Sequence, residues 1–484
     1  MDDTNTPPAT RRPLPARVYG LRLFYRAGFR RRITVMTAIM ATIAYILRAL
    51  QQLQEVGSAD LRWDFVQFHT AAVDLAAGSN PYTAFLSSCP VAHWCRGGYI
   101  FPTLLAVAMQ PLAHMPLVPA AQVWLVLTHL LLLLTLVVAW RGLRNLISPT
   151  TAALLVVATM LFIPLYMSLF FLQVGVLLVL LMTVAGVALV RGGRGGEVIA
   201  GVALGVAAVL RVTPLLLAPV LGRIERAASG TRVRLLGLLA MGATGLGLLV
   251  LLQVATPFTA VYFQDVLPRI GVGTIDLDNE SLPGLLARAA ALWRIDAPSA
   301  TLVGVAATVA FVLPAWIAWQ RTPVDGWLGG RRTRAAGFAA VLAAMPIVSS
   351  ITWQHHLVSE LVVLAFLAPA LERVPDGAAA GPIRAARRLA VVSYLLLSID
   401  RHMSDWVILN LGLAEPAGWR VVPFLVITSG NLIGMLTLWL TGLLVLAAAR
   451  RPAAAPWASG AEPVDRHPTA VVHDLQPGGE PAHA

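Results

Sequence analysis

Lysine is absent from the 484 residues, so all 36 basic side chains of the Lys and Arg class are arginines. This absence excludes a phosphate-binding loop of the Walker A type, because the lysine of that motif contacts the nucleotide phosphates. The sequence therefore does not predict an ATP-driven pump of that class.

Charged residues of any kind are scarce. They make up 12% of the chain, whereas hydrophobic residues make up 57%, and the mean hydropathy is +0.74. Soluble globular proteins carry roughly twice that share of charges, so the composition predicts a polytopic membrane protein. The net charge of +12 does not indicate nucleic-acid binding, because the arginines cluster between apolar segments, where they set membrane topology.

Cysteines and metal-binding spacings are also nearly missing. The two cysteines, Cys89 and Cys95, lie in one loop. In an oxidising compartment they would form a small disulfide, and two free thiols are the alternative. The spacings CxxC and HExxH do not occur, so we expect no metal and no cofactor. No inverted repeat relates the two halves, which disfavours the many carriers built from such repeats.

About twelve crossings account for the apolar segments and the arginines between them. The arginine-rich residues 1–32 are cytoplasmic by the positive-inside rule, residues 33–451 form the membrane domain, and 452–484 are a disordered cytoplasmic tail. The long outer loops are then 54–117 and 255–299. The regular spans are about 33–53, 118–140, 151–169, 173–190, 198–212, 234–254, 300–320, 335–351, 354–371, 388–404 and 421–449. The inward ends carry arginines at 141–144, 191–194, 223–234, 321–334, 373–388 and 450–451.

Two segments fit this topology only as irregular elements. Tyr99–Met115 is short and interrupted by prolines, so we expect a half-inserted hairpin or broken helix on the outer side. The run Pro214–Leu221 would rise only about 12 Å as a helix, against a hydrocarbon core of about 30 Å. The topology needs a crossing there, so we expect a tilted helix that starts at Pro214 and continues through Gly222 to Arg226.

The first outer loop contains a candidate catalytic acid. Asp64 precedes Phe65, Phe68, Ala72 and Leu75, whose helical spacing predicts a short amphipathic helix along the membrane interface. An aspartate at the start of such a helix is either its N-cap or the base of a membrane enzyme. The polar groups at the outer ends of other helices favour the second interpretation.

Three such groups each have a structural alternative. Gln173 lies at the start of a helix that runs inward. Its side chain either caps that helix, forms a hydrogen bond to another helix or contacts a ligand. Arg211 interrupts an apolar run beside the proline-started segment, where it either snorkels or binds an anion. Ser281 precedes Leu282 and Pro283, a pattern typical of an ordinary N-cap.

The tight turn between two membrane segments carries Trp353, His355 and His356. An adjacent histidine pair at a membrane boundary indicates function more than packing. No third metal ligand is identifiable, so the pair does not predict a metal site.

From residue 64 to residue 371 these motifs follow one another in a fixed order. They are Asp64-Phe65 with Phe68, Ala71 and Ala72; Pro81-Tyr82; Tyr99 to Pro102; Gln173 with Gly175; Ala200-Gly201 with Gly205, Arg211 and Pro214; Asn279-Glu280-Ser281-Leu282; and Thr352 to His356. The ordered set resembles glycosyltransferase family 87, polyprenyl-phosphate-sugar-dependent membrane enzymes of the GT-C fold, best known from actinobacterial mannosyl- and arabinosyltransferases. Arg211 stands where the family has lysine, and Glu280 where it has glutamine.

The resemblance implies an all-α polytopic GT-C fold with interfacial helices on the outer face. It makes Asp64 the base that activates an acceptor hydroxyl. It places the donor phosphate at Arg211, His355 and His356. Substrate contacts are expected from Tyr82, Gln173, Asn279, Ser281 and Trp353.

The resemblance also implies an activity. The enzyme would be an inverting hexosyltransferase of the plasma membrane, with both termini cytoplasmic. It would move mannose from a polyprenyl-phosphate carrier to a cell-envelope glycolipid or glycan on the outer face. Its partners would be this donor, this acceptor and membrane lipids, without nucleic acid. Arabinosyl transfer, a lipid-linked-sugar flippase or other transporter, and a non-catalytic scaffold for envelope assembly stay open as alternatives.

Overall fold

The computed structural model describes residues 27–56, 63–88, 97–227, 230–375, 377–414 and 416–451. Cys89 and Cys95 lie outside these ranges, so their disulfide stays a prediction. Residues 1–26 and 452–484 lie outside them as well.

The first part of the chain is a series of helices of very different lengths. In chain order they are α1 (Ala27–Glu55), α2 (Trp63–Ala76), α3 (Thr83–Ser88), α4 (Thr103–Ala113), α5 (Leu117–Leu143), α6 (Pro149–Met160), α7 (Ile163–Phe170), α8 (Gly175–Arg191) and α9 (Gly193–Leu210). Capping signals set several of their ends. Ser148 accepts a hydrogen bond from the Thr151 N–H at 3.2 Å, with Pro149 at the first position of α6. Gly192 ends α8 with a φ of +73°, a conformation that favours glycine.

The second part begins with short elements and returns to longer helices. They are a 3₁₀ turn (Thr213–Leu217), α10 (Ala218–Leu221), β1 (Arg223–Ala227), β2 (Gly230–Arg234), α11 (Leu236–Ala255), α12 (Phe258–Val261), α13 (Leu267–Gly271), α14 (Leu282–Trp293), α15 (Ala300–Ala307), α16 (Leu313–Gln320), α17 (Gly330–Leu342), α18 (Met345–Val348), a 3₁₀ turn (Gln354–Ser359), α19 (Glu360–Glu372), α20 (Ala380–Leu397), α21 (Arg401–Asn410), α22 (Val421–Thr428) and α23 (Gly430–Ala449). One π-helical turn joins α12 to α13 and another joins α15 to α16.

The membrane character of the fold is confirmed. Within the described ranges seven helical stretches are long and apolar enough to cross a membrane, or eight if the bent pair α6 and α7 counts as one span. Helix α8, with 17 residues, and α4, with 11, are apolar but shorter. The number of about twelve crossings is therefore not confirmed, although the protein is a multi-pass membrane protein.

The arginine-rich connections meet at one end of the bundle. Arg332 donates to the carbonyl oxygen of Leu146 at 3.2 Å, and Arg334 donates to that of Val190 at 3.1 Å. These bonds bring together the ends of α5 and α8 and the start of α17. The ends that the sequence predicts to face inward thus share one side of the bundle, as the positive-inside rule requires.

Helices α9 and α11 run parallel. A methyl group added at Gly201 of α9 would collide with the carbonyl oxygen of Gly237 in α11, and one added at Gly205 would lie 2.9 Å from the carbonyl oxygen of Met241. The contact partner thus moves from Gly237 to Met241 as the position on α9 moves from Gly201 to Gly205, so the two helices have the same direction. Residues 211–235 must bring the chain back across the bundle, as the sequence predicts.

The way in which the chain returns differs from the prediction. The 3₁₀ turn and α10 carry it back, but the helix stops at Leu221 instead of continuing to Arg226. Gly222 directly follows the last turn of α10, has low helix propensity and leaves the helical conformation with a ψ of 83°. A hairpin then pairs Arg223 of β1 with Arg234 of β2. The all-α prediction thus holds for the membrane helices, and β1 and β2 are the exception in the part of the chain that is described.

Near the opposite end, one segment is too short for a full crossing and one helix ends earlier than the sequence predicts. Helix α4 rises about 16 Å, half of the hydrocarbon core, which agrees with the broken helix predicted for Tyr99–Met115. It packs against α2. Helix α20 ends at Leu397 instead of near residue 404, since Asp400, Arg401 and His402 would be costly inside the apolar layer.

Candidate functional site

One cavity of about 980 Å³ lies at the end of α9 that is remote from the arginine-rich connections. Elements far apart in the chain line it: α2, the break between α7 and α8, the end of α9, and the turn before α19. The cavity brings together the predicted site residues Asp64, Gln173, Arg211, Trp353, His355 and His356.

Asp64 lies in the first turn of α2, where the helix dipole favours a carboxylate. The side chains of Phe65 and Phe68 are fully buried and hold the helix in place. The Asp64 Oδ2 accepts a hydrogen bond from the Gln173 Nε2 at 2.5 Å. Burial raises the pKa of Asp64 from 3.8 to about 6, and the Gln173 bond opposes this by stabilising the ionised form. Asp64 is therefore ionised at neutral pH yet basic enough to accept a proton.

The backbone before Gln173 sets the position of its amide. Leu172 is fully buried and has a φ of +53°, which a branched side chain rarely adopts. Its carbonyl oxygen accepts a hydrogen bond from the indole N–H of Trp124 at 2.8 Å, and the Gln173 N–H donates to the Ser168 carbonyl at 2.9 Å. Strained residues of this kind are held by their surroundings and cluster at functional sites.

Arg211 ends α9 in an extended conformation, where its side chain reaches the cavity. One of its guanidinium nitrogens donates to the His356 Nδ1 at 2.9 Å. Burial lowers the pKa of Arg211 to about 10, and Tyr262 opposes this shift, so the guanidinium stays charged at neutral pH. No carboxylate in the described ranges pairs with it. A buried cation without an acidic partner is suited to an anionic ligand.

The histidine pair forms one aromatic group with Trp353. The Trp353 and His356 rings stack at 5.6 Å, and the two histidine rings meet edge to face at 4.3 Å. The His356 Nδ1 accepts from Arg211 and also from the Trp353 N–H at 3.1 Å. Both partners are donors only, so the proton of this imidazole is on Nε2 and the ring is neutral. His355 lines the cavity beside it.

Tyr82 and Ser281 are not brought to the cavity. Tyr82 is fully buried, and its hydroxyl donates to the Phe101 carbonyl oxygen at 3.0 Å. Ser281 is the N-cap of α14 and accepts a hydrogen bond from the Gly284 N–H at 3.1 Å. This is the capping role that its sequence pattern indicates.

Asn279 is also buried away from the cavity, as a connector between two loops. Its Nδ2 donates to the carbonyl oxygens of Thr274 and Ser350, both at 3.0 Å. Its Oδ1 accepts from the Thr352 N–H at 3.0 Å. These bonds hold the loop before α14 against the turn that carries the histidine pair. Asn279 therefore supports the position of this turn without lining the cavity.

The cavity is also lined by polar residues for which the sequence predicted no role. They include Gln67, Tyr262, Asp276, Asp278, Glu280, Gln354, Asp400, Arg401 and His402. The sequence contains a signal for the last three of these residues. The run Asp-Arg-His follows an apolar segment, and charged residues in such a position mark the membrane boundary. For Glu280 the signal was its departure from the family pattern.

Comparison with known proteins identifies solved structures and a family that are similar to this chain. No curated protein matches it. Two solved structures resemble it, both of ArnT from Cupriavidus metallidurans. One is bound to undecaprenyl phosphate and is 14% identical, and the other is in the apo state and is 16% identical. Each has a TM-score of 0.37 and covers 84% of this chain and 77% of the ArnT chain, a similarity too low to carry an argument about the site.

The family comparison is more specific. The model of glycosyltransferase family 87 matches residues 99–350, which is more than half of the chain. The matched range includes Gln173, Arg211 and Asn279 but begins after Asp64. This protein belongs to glycosyltransferase family 87.

Proposed function

We propose that the protein transfers a sugar, with inversion, from a polyprenyl-phosphate carrier to a hydroxyl group of a cell-envelope glycolipid or glycan. One observation carries the proposal: a carboxylate, Asp64, and a cation, Arg211, line the same cavity, and neither is neutralised by an opposite charge in the described chain. The first suits a base, and the second suits a phosphate.

The reaction needs a proton acceptor on one side of the sugar. The acceptor hydroxyl gives its proton to the Asp64 carboxylate while its oxygen attacks the anomeric carbon. Attack from the face opposite the phosphate inverts the anomeric centre. The raised pKa of Asp64 makes the carboxylate a better proton acceptor than an ordinary aspartate.

The other side of the sugar carries the leaving group. The bond between the anomeric carbon and the phosphate oxygen breaks, and polyprenyl phosphate leaves with one more negative charge than it had as an ester. The Arg211 guanidinium stabilises this charge, and the His356 Nε2–H can donate a further hydrogen bond. A phosphate is a good leaving group, so no general acid is required on this side.

Mannose is the sugar that we propose, with arabinose as the alternative within the same chemistry. The active site would face outward at the plasma membrane, with both termini in the cytoplasm. A lipid-linked-sugar flippase could use the same cavity as a path, but it would have no need of a base. The replacement of Asp64 therefore separates an enzyme from a flippase.

The test is Asp64→Asn in the purified full-length protein, assayed for sugar transfer from polyprenyl-phosphate mannose and polyprenyl-phosphate arabinose. Turnover should fall by about 10²-fold to 10⁴-fold, the usual loss for a general base, with little change in donor binding. Asp74→Asn is the matched control, because Asp74 lies on the same helix but does not line the cavity.

The pH profile gives the same test a second readout. The wild-type kcat/KM should fall as the pH drops below about 6, because protonation of Asp64 removes the base. Normal transfer by Asp64→Asn would refute the assignment of the base. Absence of transfer by the wild-type protein would instead favour the scaffold and flippase alternatives.

A further inference from the structure

The arginine-rich end of the bundle contains a second pocket, at the end of α19 that is opposite the histidine pair. Its volume is about 360 Å³, within the range of ligand pockets. Three arginines line it: Arg144 directly after α5, Arg332 in the first turn of α17, and Arg373 directly after α19. We call it the Arg332 pocket. The proposed reaction uses none of its residues.

The charges of the Arg332 pocket do not balance. Glu372 is the one carboxylate of the described chain that lines it, and both of its oxygens accept the Ser148 N–H, at 2.8 and 3.0 Å. Within the described ranges no ion pair joins Arg144, Arg332 or Arg373 to a carboxylate. Three positive charges around one concave site repel one another, so an anion bound among them would stabilise the protein.

Membrane topology alone does not require this arrangement. The positive-inside rule needs arginines near the inward ends of helices, but it does not require arginines from different ends to converge. The walls of the pocket are also held together. Arg332 donates to the Leu146 carbonyl oxygen at 3.2 Å, and the bond from Ser148 to Glu372 joins the start of α6 to the end of α19. The pocket is therefore formed by contacts within the protein itself.

The donors of the Arg332 pocket suit a phosphate group. A guanidinium group offers several N–H donors in one plane, and this geometry matches the oxygens of a phosphate. Arg144 and Arg373 are exposed, and their side chains make no hydrogen bond to the described chain. Their donors are therefore available to a ligand. Asn145, which is also exposed at the pocket, can add an amide donor.

The surface of α5 indicates where the phosphate comes from. Leu130 and Leu133 are exposed on this membrane-spanning helix, so their side of α5 faces lipid. Trp140 follows Leu133 by two turns and Arg144 follows Trp140 by about one, so both continue the same side. Trp140 is exposed, as is typical of tryptophan at the level of lipid head groups. A lipid whose chains lie along α5 would place its phosphate at the Arg332 pocket.

We propose that the Arg332 pocket binds the phosphate of an anionic phospholipid in the leaflet at the arginine-rich end of the bundle. This inference goes beyond the proposed function and does not depend on it. A zwitterionic phospholipid also has a phosphate, but the arginines would repel its ammonium group. A soluble phosphate has similar oxygens but no chains to lie beside α5. The experiment separates these three ligands.

The experiment uses the purified full-length protein in nanodiscs made of equal parts of dioleoyl-phosphatidylglycerol and dioleoyl-phosphatidylcholine. Native mass spectrometry counts the lipids that stay bound after the protein is released. The wild type should retain phosphatidylglycerol over phosphatidylcholine by at least about tenfold, since the pocket has two more cations than anions and each contributes about fivefold. Inorganic phosphate in large excess should not displace the bound lipid.

Arg332→Gln should reduce the preference for phosphatidylglycerol about fivefold, because it removes one of the three charges. Arg384→Gln is the matched control. Arg384 is an exposed arginine near the start of α20 that does not line the pocket, so its replacement should leave the preference unchanged. If Arg332→Gln lowers the thermal midpoint through loss of the Leu146 bond, Arg373→Gln carries the same test, because Arg373 is exposed and makes no such bond in the described chain.

Three results would overturn the inference. Equal retention of the two lipids by the wild type would show that the pocket selects no anionic lipid. Equal losses in Arg384→Gln and in the folded pocket variant would assign the preference to the general surface charge of this end. Displacement of phosphatidylglycerol by inorganic phosphate would make the ligand a soluble anion. Lipid retention is read without turnover, so each of these results is distinct from failure of sugar transfer.

Discussion

At the residue scale, His356 orients the Arg211 guanidinium at the cavity. Its Nδ1 accepts from the guanidinium and from the Trp353 N–H, so the imidazole is a neutral acceptor. A carboxylate in this place would hold the guanidinium equally well but would cancel its charge. The neutral ring orients the cation and leaves its charge available to a phosphate.

Replacement of Arg211 by Gln should therefore impair use of the donor far more than use of the acceptor. We expect a loss of about 2 to 4 kcal/mol in transition-state stabilisation, as for a lost oxyanion donor. The measurement is kcat/KM with each substrate varied in turn. Arg384→Gln, at an exposed position of α20, is the control. An unchanged donor kcat/KM in folded Arg211→Gln would make this arginine a packing residue.

At the element scale, small residues allow α9 and α11 to pack in direct backbone contact. Gly201 and Gly205 of α9 face the backbone of α11 near Gly237 and Met241. Helices in lipid associate through such close packing, because the apolar tails around them offer no hydrophobic gain. This contact fixes α9, and with it the position of Arg211 at its end.

Replacement of Gly201 by Ala should destabilise the protein. The added methyl group would collide with the Gly237 carbonyl oxygen and lie 2.8 Å from the Ala240 side chain. Overpacking of this kind costs about 1 to 3 kcal/mol in the free energy of unfolding. Gly242→Ala on α11 is the matched control, because its methyl group would meet no atom within 4 Å. Thermal midpoints of the two purified variants give the comparison, and equal midpoints would contradict the packing argument.

At the scale of the whole molecule, the two ends of the bundle have different chemistry. Arginine-rich connections gather at one end, and the cavity with its carboxylates lies at the other. A lipid-linked substrate fits this separation, since its chain stays in the membrane while its head group lies at one surface. On the positive-inside rule we propose that the cavity faces outward.

Cysteine labelling tests this orientation in cells that carry the protein with Cys89→Ser and Cys95→Ser. A membrane-impermeant maleimide should label Ser299→Cys, at the cavity end, in intact cells. It should label Gly195→Cys, at the arginine-rich end, only after the membrane is opened. Both positions are exposed. The reverse pattern would place the cavity in the cytoplasm, and labelling of both positions in intact cells would contradict the separation of the two ends.

The sequence by itself determined the class of the protein. It also predicted the grouping of the arginine-rich ends and several of the residues that line the cavity. These follow from local properties: apolar run length, the cost of a charge such as Arg211 in an apolar run, and the spacing around Asp64. Even the return of the chain after α9 followed from counting crossings. Its form did not, because Gly222 and the hairpin after it depend on local backbone preferences that hydropathy does not record.

Only the tertiary structure decided which polar atoms are already satisfied by the protein. Asn279 and Tyr82 have the residue types of ligand contacts, but their hydrogen bonds go to other loops. The sequence predicted no role for Glu280, yet one of its oxygens accepts a hydrogen bond from Asn431 and the other has no donor in the described chain. The partners of such atoms lie up to 151 positions away. A pattern of neighbouring residues cannot contain that information, because packing and not sequence distance determines which donors reach which acceptors.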